Sequence, residues 1–368
     1  MIKILHFYPS DNQLISQYVD ILQNAMQEYA EVCAEHSLHD FTKTLKQQHP
    51  DIIHIHGCWR AQNLKACKRA IKAGARIVFS PHGQLEPWIM EQHFLRDKLP
   101  KLIAYQRKIA RLSYAMIAMG RMEEGCLKKL KYNTRIETVY NALITETISK
   151  EQMGQRIFDV YRKVLDSDPW PLMDEKTRLA TRAFIKAGIT GNHQWLSNAE
   201  YEATNDIDTE SWRKIKLYTY QEHIENTINQ GIAIAAPQPM PPDFNAQEAE
   251  YYKPRHFDDT VRRIDNSGKN DTERMVKAIR SARKLERGHH LTIMHLVELD
   301  DILRRSQADE EKVRRRLDDY KLIKFAQRLM SLLNSFTGLE EGFMPIAPLN
   351  DRQAKYIEQK ITKHLEIV

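Results

Sequence analysis

In the first 145 residues, short apolar runs alternate with stretches of helical periodicity, and this alternation constrains the fold more than any other feature. The pattern predicts strands at residues 2–7, 31–34, 51–56, 75–80, 114–119 and 135–139. It also predicts helices at residues 13–28, 41–48, 61–73, 99–112 and 121–130. Short, nearly all-apolar strands separated by helices are typical of a parallel sheet covered on both faces. We therefore expect a doubly wound, Rossmann-like α/β domain over residues 1–145, with ligands bound beyond the carboxyl ends of its strands.

The pattern changes after residue 145, where helical periodicity replaces the alternation. It predicts helices at residues 148–165, 175–187, 210–230, 271–287, 291–305, 309–335 and 351–366. Residues 235–254 are rich in proline and polar side chains and indicate an extended connection. The 368-residue chain is long enough for two domains. We therefore expect residues 146–368 to form a mainly helical C-terminal half.

Several functional classes find no support in the sequence. No apolar run approaches the ~20 residues that a membrane-spanning helix needs. The apolar N-terminus soon meets Pro9 and Asp11, which indicates a first strand rather than a secretory signal, so we expect a cytoplasmic protein. The four cysteines form no CxxC pair and are expected to be reduced. No GxxxxGK[ST], GxGxxG or GxSxG motif occurs, so P-loop, dinucleotide-binding and serine-hydrolase functions are unsupported.

The net charge of +6 is concentrated in two regions. Residues 94–135 hold 11 basic and 3 acidic side chains, which indicates either an anionic partner, such as phosphates or lipid headgroups, or a solvated helical face. Residues 260–330 hold 18 basic and 12 acidic side chains. Their interleaving at helical spacing favours ordinary solvated helices. Neither region carries a nucleic-acid-binding motif, so we expect no nucleic-acid partner.

Two histidines end predicted strands at the edge where a parallel sheet presents its ligand site. His56 and His82 each precede a glycine, Gly57 and Gly83, which lets the backbone turn sharply and a ligand approach. A histidine at this position can bind a substrate hydroxyl or act as a general base. The alternative is that each imidazole simply caps the end of its strand.

Neighbouring residues leave further alternatives open. Trp59 and Trp88 can stack on a sugar ring or pack their loops against the domain. His54 lies on the same side of its strand as His56, which would suit a metal pair. Because no carboxylate or cysteine follows at ligand spacing, we expect no metal.

Four stretches resemble the N-terminal half of a family 4 glycosyltransferase of the GT-B type, most closely the capsule and envelope polysaccharide enzymes. They are Asp51-Ile-Ile-His-Ile-His-Gly57, Ser80-Pro-His-Gly-Gln-Leu-Glu-Pro-Trp88, Tyr105-Gln-Arg107 and Val139-Tyr-Asn141. The resemblance covers residues 50–142. It implies two Rossmann-like domains and transfer of a sugar from a nucleotide-sugar to a glycan or lipid-linked acceptor, with retention of configuration. The nucleotide-sugar would be a co-substrate, and no other cofactor is expected.

The resemblance also implies roles for individual residues. It places His82 against the transferring sugar, as the catalytic residue. It places His56 and Gly57 in the strand-end loop on the acceptor side. We expect substrate binding by these two residues and by Trp59, Gly83, Glu86, Trp88 and Asn141. Residues 94–135 match a surface that lies against the membrane in relatives with lipid-linked acceptors, and the basic, amphipathic segment 99–112 suits such contact. We therefore expect peripheral contact with the inner face of the membrane.

The chain departs from the family pattern in ways that leave two hypotheses open. Residues 8–13 contain no glycine where the family has a pair, and Asn141-Ala142 replaces an Asn-Gly turn. The second half lacks two glutamates eight positions apart in a glycine-rich setting, because Glu202/Glu210 and Glu358/Glu366 have only the spacing. The basic helices at 270–287 and 309–328 are candidates for holding the leaving diphosphate by charge alone. We favour a glycosyltransferase with an unusual helical half; the alternative is a non-catalytic relative that binds another protein of the polysaccharide machinery.

Overall fold

A computed structural model describes residues 1–236, 244–253 and 263–363, which form two compact units. The amino-terminal unit contains residues 1–166 and 250–252, and the carboxy-terminal unit contains residues 167–249 and the described residues from 253 onward. The division falls at residue 166 rather than at 145. The reason is that the helix predicted at 148–165 packs on the first unit, against the first helix and the sheet.

The amino-terminal unit is built on a parallel sheet of six strands, which confirms the predicted α/β class. The strands are β1 (Ile2–Phe7), β2 (Ala30–Glu35), β3 (Ile52–His56), β4 (Arg76–Ser80), β5 (Ala115–Ala118) and β6 (Ile136–Thr138). Their order is β2-β1-β3-β4-β5-β6. The order reverses between β1 and β3, and ligands of doubly wound sheets bind at such a switch point, outside the carboxyl ends of the strands.

Eight α-helices belong to this unit. They are α1 (Gln13–Met26), α2 (Leu38–Gln48), α3 (Ala61–Lys72), α4 (Pro87–Glu91), α5 (Leu99–Lys101), α6 (Arg107–Leu112), α7 (Arg121–Leu130) and α8 (Lys150–Asp166). The single helix predicted at 99–112 is instead interrupted, because wide π-helical turns at Phe94–Lys98 and Leu102–Gln106 precede α5 and α6. Pro100 supplies no N–H to a regular helical ladder in this stretch.

Side chains of the central strands alternate between an apolar face and a polar face. Leu5, Phe7, Ile53 and Ile55 belong to an apolar cluster with helix residues Phe41, Ala66 and Ile109. The intervening residues of β1 and β3 are histidines, which point to the opposite face because successive strand residues alternate. That face meets Tyr18 of α1 and Tyr161 of α8. A layer of imidazoles therefore lies inside the domain, where an apolar layer would be usual.

The carboxy-terminal unit is mainly helical in its described part, and no strand occurs there. Its helices are α9 (Glu175–Thr190), α10 (Asn198–Ala203), α11 (Thr209–Gln221), α12 (Glu225–Ala235), α13 (Asp271–Arg287), α14 (Ile293–Arg305), α15 (Glu310–Asp319), α16 (Ile323–Thr337) and α17 (Arg352–Lys363). Two helices predicted as continuous, at 210–230 and 309–335, are each split. His223 and Lys321 adopt left-handed backbone angles (φ 55° for both), which end a helix.

Parts of two predictions lie outside the described residues. The predicted connection at 235–254 includes residues 237–243 and 254, and the helix predicted at 351–366 extends past residue 363.

Helices α9 and α12 approach each other closely enough for their backbones to touch. A β-carbon on Gly188 would lie 1.9 Å from the carbonyl oxygen of Thr227. One on Gly231 would lie 1.8 Å from the carbonyl oxygen of Phe184. Only glycine fits at either position, and the two contacts run in opposite directions along an antiparallel pair. We call this reciprocal contact the glycine notch.

Within the described residues, no helix combines the length and apolarity needed to cross a membrane.

Candidate active site

The carboxyl ends of β1, β3 and β4 bring together four histidines beside the switch point. His6 of β1 is paired with His54 of β3, and His56 follows two residues later on the same face. All three are fully buried, and His82 follows β4 in a loop where it is partly buried. Our sequence analysis identified His54, His56 and His82 but missed His6. The signal for His6 was available, because it is a polar residue between Leu5 and Phe7 near the end of a mostly apolar first strand.

Three of these imidazoles form a hydrogen-bonded chain. His82 Nε2 lies 2.9 Å from His56 Nδ1, and His56 Nε2 lies 2.9 Å from His6 Nδ1. At the outer end, His82 Nδ1 lies 3.2 Å from the Met119 sulfur, which can only accept a hydrogen bond. His82 therefore carries its proton on Nδ1 and accepts from His56, which in turn accepts from His6. The chain ends at His6 Nε2, a buried atom with no hydrogen-bond partner among the described residues.

The fourth histidine anchors the chain to the surrounding elements. His54 Nδ1 lies 2.6 Å from the Tyr161 hydroxyl of α8, and its Nε2 lies 2.8 Å from Ser80 Oγ at the end of β4. The edge of the Tyr18 ring meets the His82 ring, with their centroids 4.9 Å apart. The imidazole layer is thus enclosed by α1, α8 and the sheet.

Burial keeps these histidines neutral. It lowers the pKa of His6 and of His82 to about 3, from an ordinary value of 6.5. The pKa values of His54 and His56 lie well below 6.5, because of burial first and the neighbouring imidazoles second. A group with so low a pKa is a poor general base near neutral pH. The geometry therefore suits His82 to hydrogen bonding of a substrate rather than to proton abstraction.

Glu123 fixes the backbone of the His82 loop, and our sequence analysis did not single it out. Its buried carboxylate accepts hydrogen bonds from the backbone N–H of Gly83 (2.6 Å) and of Met119 (2.8 Å). Burial raises the pKa of Glu123, and the two backbone hydrogen bonds oppose that rise. His82 and Gly83 both have positive φ angles, of 56° and 74°. The only signal for Glu123 in the sequence was an acidic residue within the strongly basic stretch 94–135.

The loop after β3 is held by hydrogen bonds to the backbone of Ser80 and to the side chains of Asn63 and Gln84. Gly57 has a φ of 74°, its N–H donates to Ser80 (2.9 Å), and its carbonyl accepts from Asn63 Nδ2 (2.9 Å). The Cys58 N–H donates to Gln84 Oε1 at 2.6 Å. The loops after β3 and β4 are therefore directly cross-linked, as the adjacent strand ends predict.

Trp59 packs its loop against the domain. It is partly buried beside the apolar cluster, its N–H donates to Gln106 Oε1 (3.0 Å), and its carbonyl accepts from the Tyr105 hydroxyl (2.8 Å). The second π-helical turn brings Tyr105 and Gln106 to this loop. Two enclosed N–H groups here, Trp59 Nε1 and Gln106 Nε2, have no acceptor among the described residues.

Trp88 lies at the surface, and Glu86 beside it is half-buried with its carboxylate close to Gly83. Trp88 is 58% exposed, and its Nε1 donates to Glu86 Oε2 at 2.7 Å. This hydrogen bond holds the indole in place at the start of α4. Its exposed ring is available for stacking on a sugar.

Asn141 lies close to His82 but faces inward. Its Oδ1 accepts from the N–H of Leu143 (2.9 Å), and its Nδ2 donates to the Met119 sulfur (3.4 Å). Met119 thus accepts from both His82 and Asn141. The structure therefore brings together His56, Gly57, His82, Gly83 and Asn141, with the half-buried Glu86 beside Gly83, and it leaves Trp88 at the surface.

The three buried histidines also have the composition of a metal site. His6, His54 and His56 each offer a ring nitrogen, and these atoms lie within 4.8 Å of one another. However, hydrogen bonds already engage five of the six ring nitrogens. A cation held by all three histidines would have to displace at least two of these bonds, because both ring nitrogens of His54 and of His56 are engaged.

Comparison with known proteins bears on the same part of the chain. Residues 36–147 match the family model of Glycosyltransferase Family 4. The match covers under a third of the chain and contains every site residue predicted from the sequence. A search of the curated proteins found no significant match, and a search of the solved structures found none either. The family match supports a family 4 glycosyltransferase domain within the amino-terminal unit.

Proposed function

We propose that this protein transfers a sugar from a nucleotide-sugar to a hydroxyl of a glycan or lipid-linked acceptor in the synthesis of envelope or capsular polysaccharide. The observation that carries the proposal is that the family 4 match includes the two loops whose histidines meet at the switch point of the sheet. The bond from the sugar to the diphosphate breaks, and a bond to the acceptor oxygen forms with retention of configuration. The hydroxyl proton leaves with the nucleoside diphosphate.

His82 is the proposed catalytic residue, acting as a hydrogen-bond donor. Its Nδ1–H donates to a thioether, which is a weak acceptor. A sugar hydroxyl reaching this point would be a better acceptor and would displace Met119. Because His56 fixes Nε2 as an acceptor, the Nδ1 proton is always available to the substrate. His56 is accordingly a positioning residue in this proposal.

The acceptor side involves the surface residues. The exposed indole of Trp88, held by Glu86, offers an aromatic face of the kind on which sugar rings stack. Leu95 and Ile103 are 75% and 67% exposed, in the basic stretch 94–135. Exposed apolar side chains among basic ones favour contact with an anionic lipid surface. These features support the proposed membrane contact of the protein.

The alternative function, a non-catalytic binding protein, is favoured by the carboxy-terminal unit. This unit is helical in its described part, whereas a donor-binding domain of the family would be a second α/β domain. Under this alternative, the histidine loops would keep an acceptor pocket without turnover.

Calorimetry with a panel of nucleoside diphosphates and nucleotide-sugars separates the two functions, followed by a transfer assay with whichever nucleotide-sugar binds. A ligand that binds in the micromolar range and is turned over supports the transferase. Replacing His82→Gly, which tolerates the left-handed backbone and has no side-chain donor, should lower transfer by about 100-fold or more if the donor hydrogen bond is required. The matched variant His39→Gly, at an exposed position in the first turn of α2, should keep full activity. A folded protein that binds nothing in the panel would favour the non-catalytic alternative.

A further inference from the structure

A strongly basic pocket lies within the carboxy-terminal unit, between the end of α13 and the junction of α15 with α16. Its volume is about 600 Å³. Seven of the ten residues that line it are cationic: Arg280, Arg283, Lys284, Arg287, Lys321, Lys324 and Arg328. No acidic residue of the described chain is among the ten. The sequence favoured solvated helical faces for this region and offered its basic helices as diphosphate candidates by charge alone; the fold concentrates their basic residues on one concave surface.

Only two of the seven cations are neutralised by a carboxylate in the described residues. Arg283 pairs with Glu286 (2.6 Å), and Arg328 makes a two-pronged contact with Asp351 (2.7 and 3.0 Å). Arg280 instead lies over the Tyr320 ring, 4.0 Å from its centroid. The other four cations line the pocket with no ion pair in the described part of the chain: Lys284, Arg287, Lys321 and Lys324. Like charges brought together in this way repel each other and concentrate anions from solution.

The amino-terminal end of α16 contributes a second, independent feature. Leu322 is the cap residue of this fifteen-residue helix, and no side chain among the described residues accepts from its first-turn N–H groups. Leu322, Lys324 and Phe325 line the pocket, so this uncapped end lies at its wall. Uncapped helix N-termini bind phosphate groups through their free N–H groups and the helix dipole.

Basic residues are common at the carboxyl end of a helix, but this explains only part of the seven cations that line the pocket. Lys284 and Arg287 lie in the last turn of α13, where cations favourably meet the exposed carbonyl groups. Lys321 and Lys324 lie at the start of α16, where the helix dipole disfavours a cation. Their position is therefore unfavourable unless an anion binds between them.

We propose that this pocket binds a ligand carrying two adjacent phosphate groups. A diphosphate concentrates several negative charges within a few ångströms, which matches five uncompensated cations and a helix N-terminus better than a single carboxylate would. The ion pairs of Arg283 with Glu286 and of Arg328 with Asp351 fix these two side chains before the ligand binds, which reduces the entropy cost of binding. The diphosphate could belong to a nucleotide or to a lipid headgroup. This binding does not depend on the transfer reaction proposed for the amino-terminal unit.

Calorimetry on the full chain at low ionic strength tests the proposal with inorganic pyrophosphate, UDP and farnesyl diphosphate. We expect all three to bind and added salt to weaken binding. Tighter binding of UDP would assign the diphosphate to a nucleotide, and tighter binding of farnesyl diphosphate would assign it to a lipid. If pyrophosphate does not bind, the proposal is wrong, including the case in which only RNA or anionic vesicles bind.

Two variants of equal charge change locate the site. The double variant Lys284→Gln/Lys324→Gln removes one exposed cation from each wall and should weaken pyrophosphate binding by at least about tenfold. The control Lys312→Gln/Arg315→Gln removes two exposed cations of α15 that pair with Asp309 and Glu311 outside the pocket, and it should bind as the wild type does. Circular dichroism checks that both are folded. Equal losses in the two variants, or no loss in the first, would overturn the proposal. Transfer activity, measured separately, reports on the proposed function alone.

Discussion

Acidification should destabilise the amino-terminal unit through its buried imidazoles. His6, His54 and His56 are fully buried with pKa values far below the ordinary 6.5, and that of His6 is about 3. Below about pH 6.5 the unfolded chain binds a proton at each of these positions and the folded chain does not. The unfolded state therefore gains stability relative to the folded state as the pH falls from 6.5 towards 3.

The size of the effect follows from proton linkage. When the pH falls from about 7 to about 5.5, each histidine that stays neutral in the folded state lowers the free energy of unfolding by about 1.2 kcal/mol. Three of them together cost about 4 kcal/mol, a large part of the stability of a typical domain. Hydrogen exchange of the amides in β1 and β3, corrected for the intrinsic exchange rate at each pH, measures this free energy in the unit concerned.

The variant His6→Leu isolates the contribution of one imidazole. Its free energy of unfolding should fall by about 1.2 kcal/mol less than that of the wild type over the same pH change, because its unfolded state has one proton-binding site fewer. This difference does not depend on how stable the variant is at neutral pH. His39→Leu, at an exposed position on α2, should lose as much as the wild type. If the wild type and His6→Leu lost equal free energy, the reasoning from buried neutral imidazoles would be refuted.

Three further predictions concern individual contacts. Nitrogen-15 NMR at neutral pH should show His56 and His82 protonated at Nδ1 and bare at Nε2; a proton on His82 Nε2 would contradict the chain direction inferred from Met119. Glu123→Gln places an amide donor against a backbone N–H and should lower the unfolding free energy of the amino-terminal unit by about 1–3 kcal/mol in urea titrations; an unchanged midpoint and slope would contradict this. Gly188→Ala should cost about 3 kcal/mol or more and lower the melting temperature, whereas Gly342→Ala, with open space around it, should have little effect; similar melting temperatures would contradict the notch.

The sheet could be predicted from the sequence because its signals are local. Each strand is a short apolar run, and each of the six was found with ends correct to within one or two residues. The carboxyl ends of parallel strands lie at one edge, so His56 and His82 could be expected to meet, and they do. The order β2-β1-β3 brings His6 alongside them, and no local pattern reports which strands are neighbours.

Other features depended on tertiary contacts that no window of sequence reveals. Glu123 resembles any acidic residue in a helix, and only the fold shows its carboxylate bound to two loops. The domain boundary was placed at 145 because the strands end there, yet Tyr161 of α8 binds His54 and ties that helix to the sheet. The basic pocket required knowing that Arg280 and Lys324, far apart in sequence, line one surface.

The glycine notch fixes how far α9 and α12 are shifted along each other. Its two contacts are four residues apart on each helix, about one helical turn, so both engage in a single register. Sliding α12 by one turn would place Thr227 or Ala235 where Gly231 now lies, and its β-carbon would then meet the backbone of α9. Apolar side chains alone would tolerate several neighbouring offsets, since their packing is largely non-directional. Because Gly188 and Gly231 each carry a hydrogen atom in place of a side chain, they select one alignment of α9 against α12.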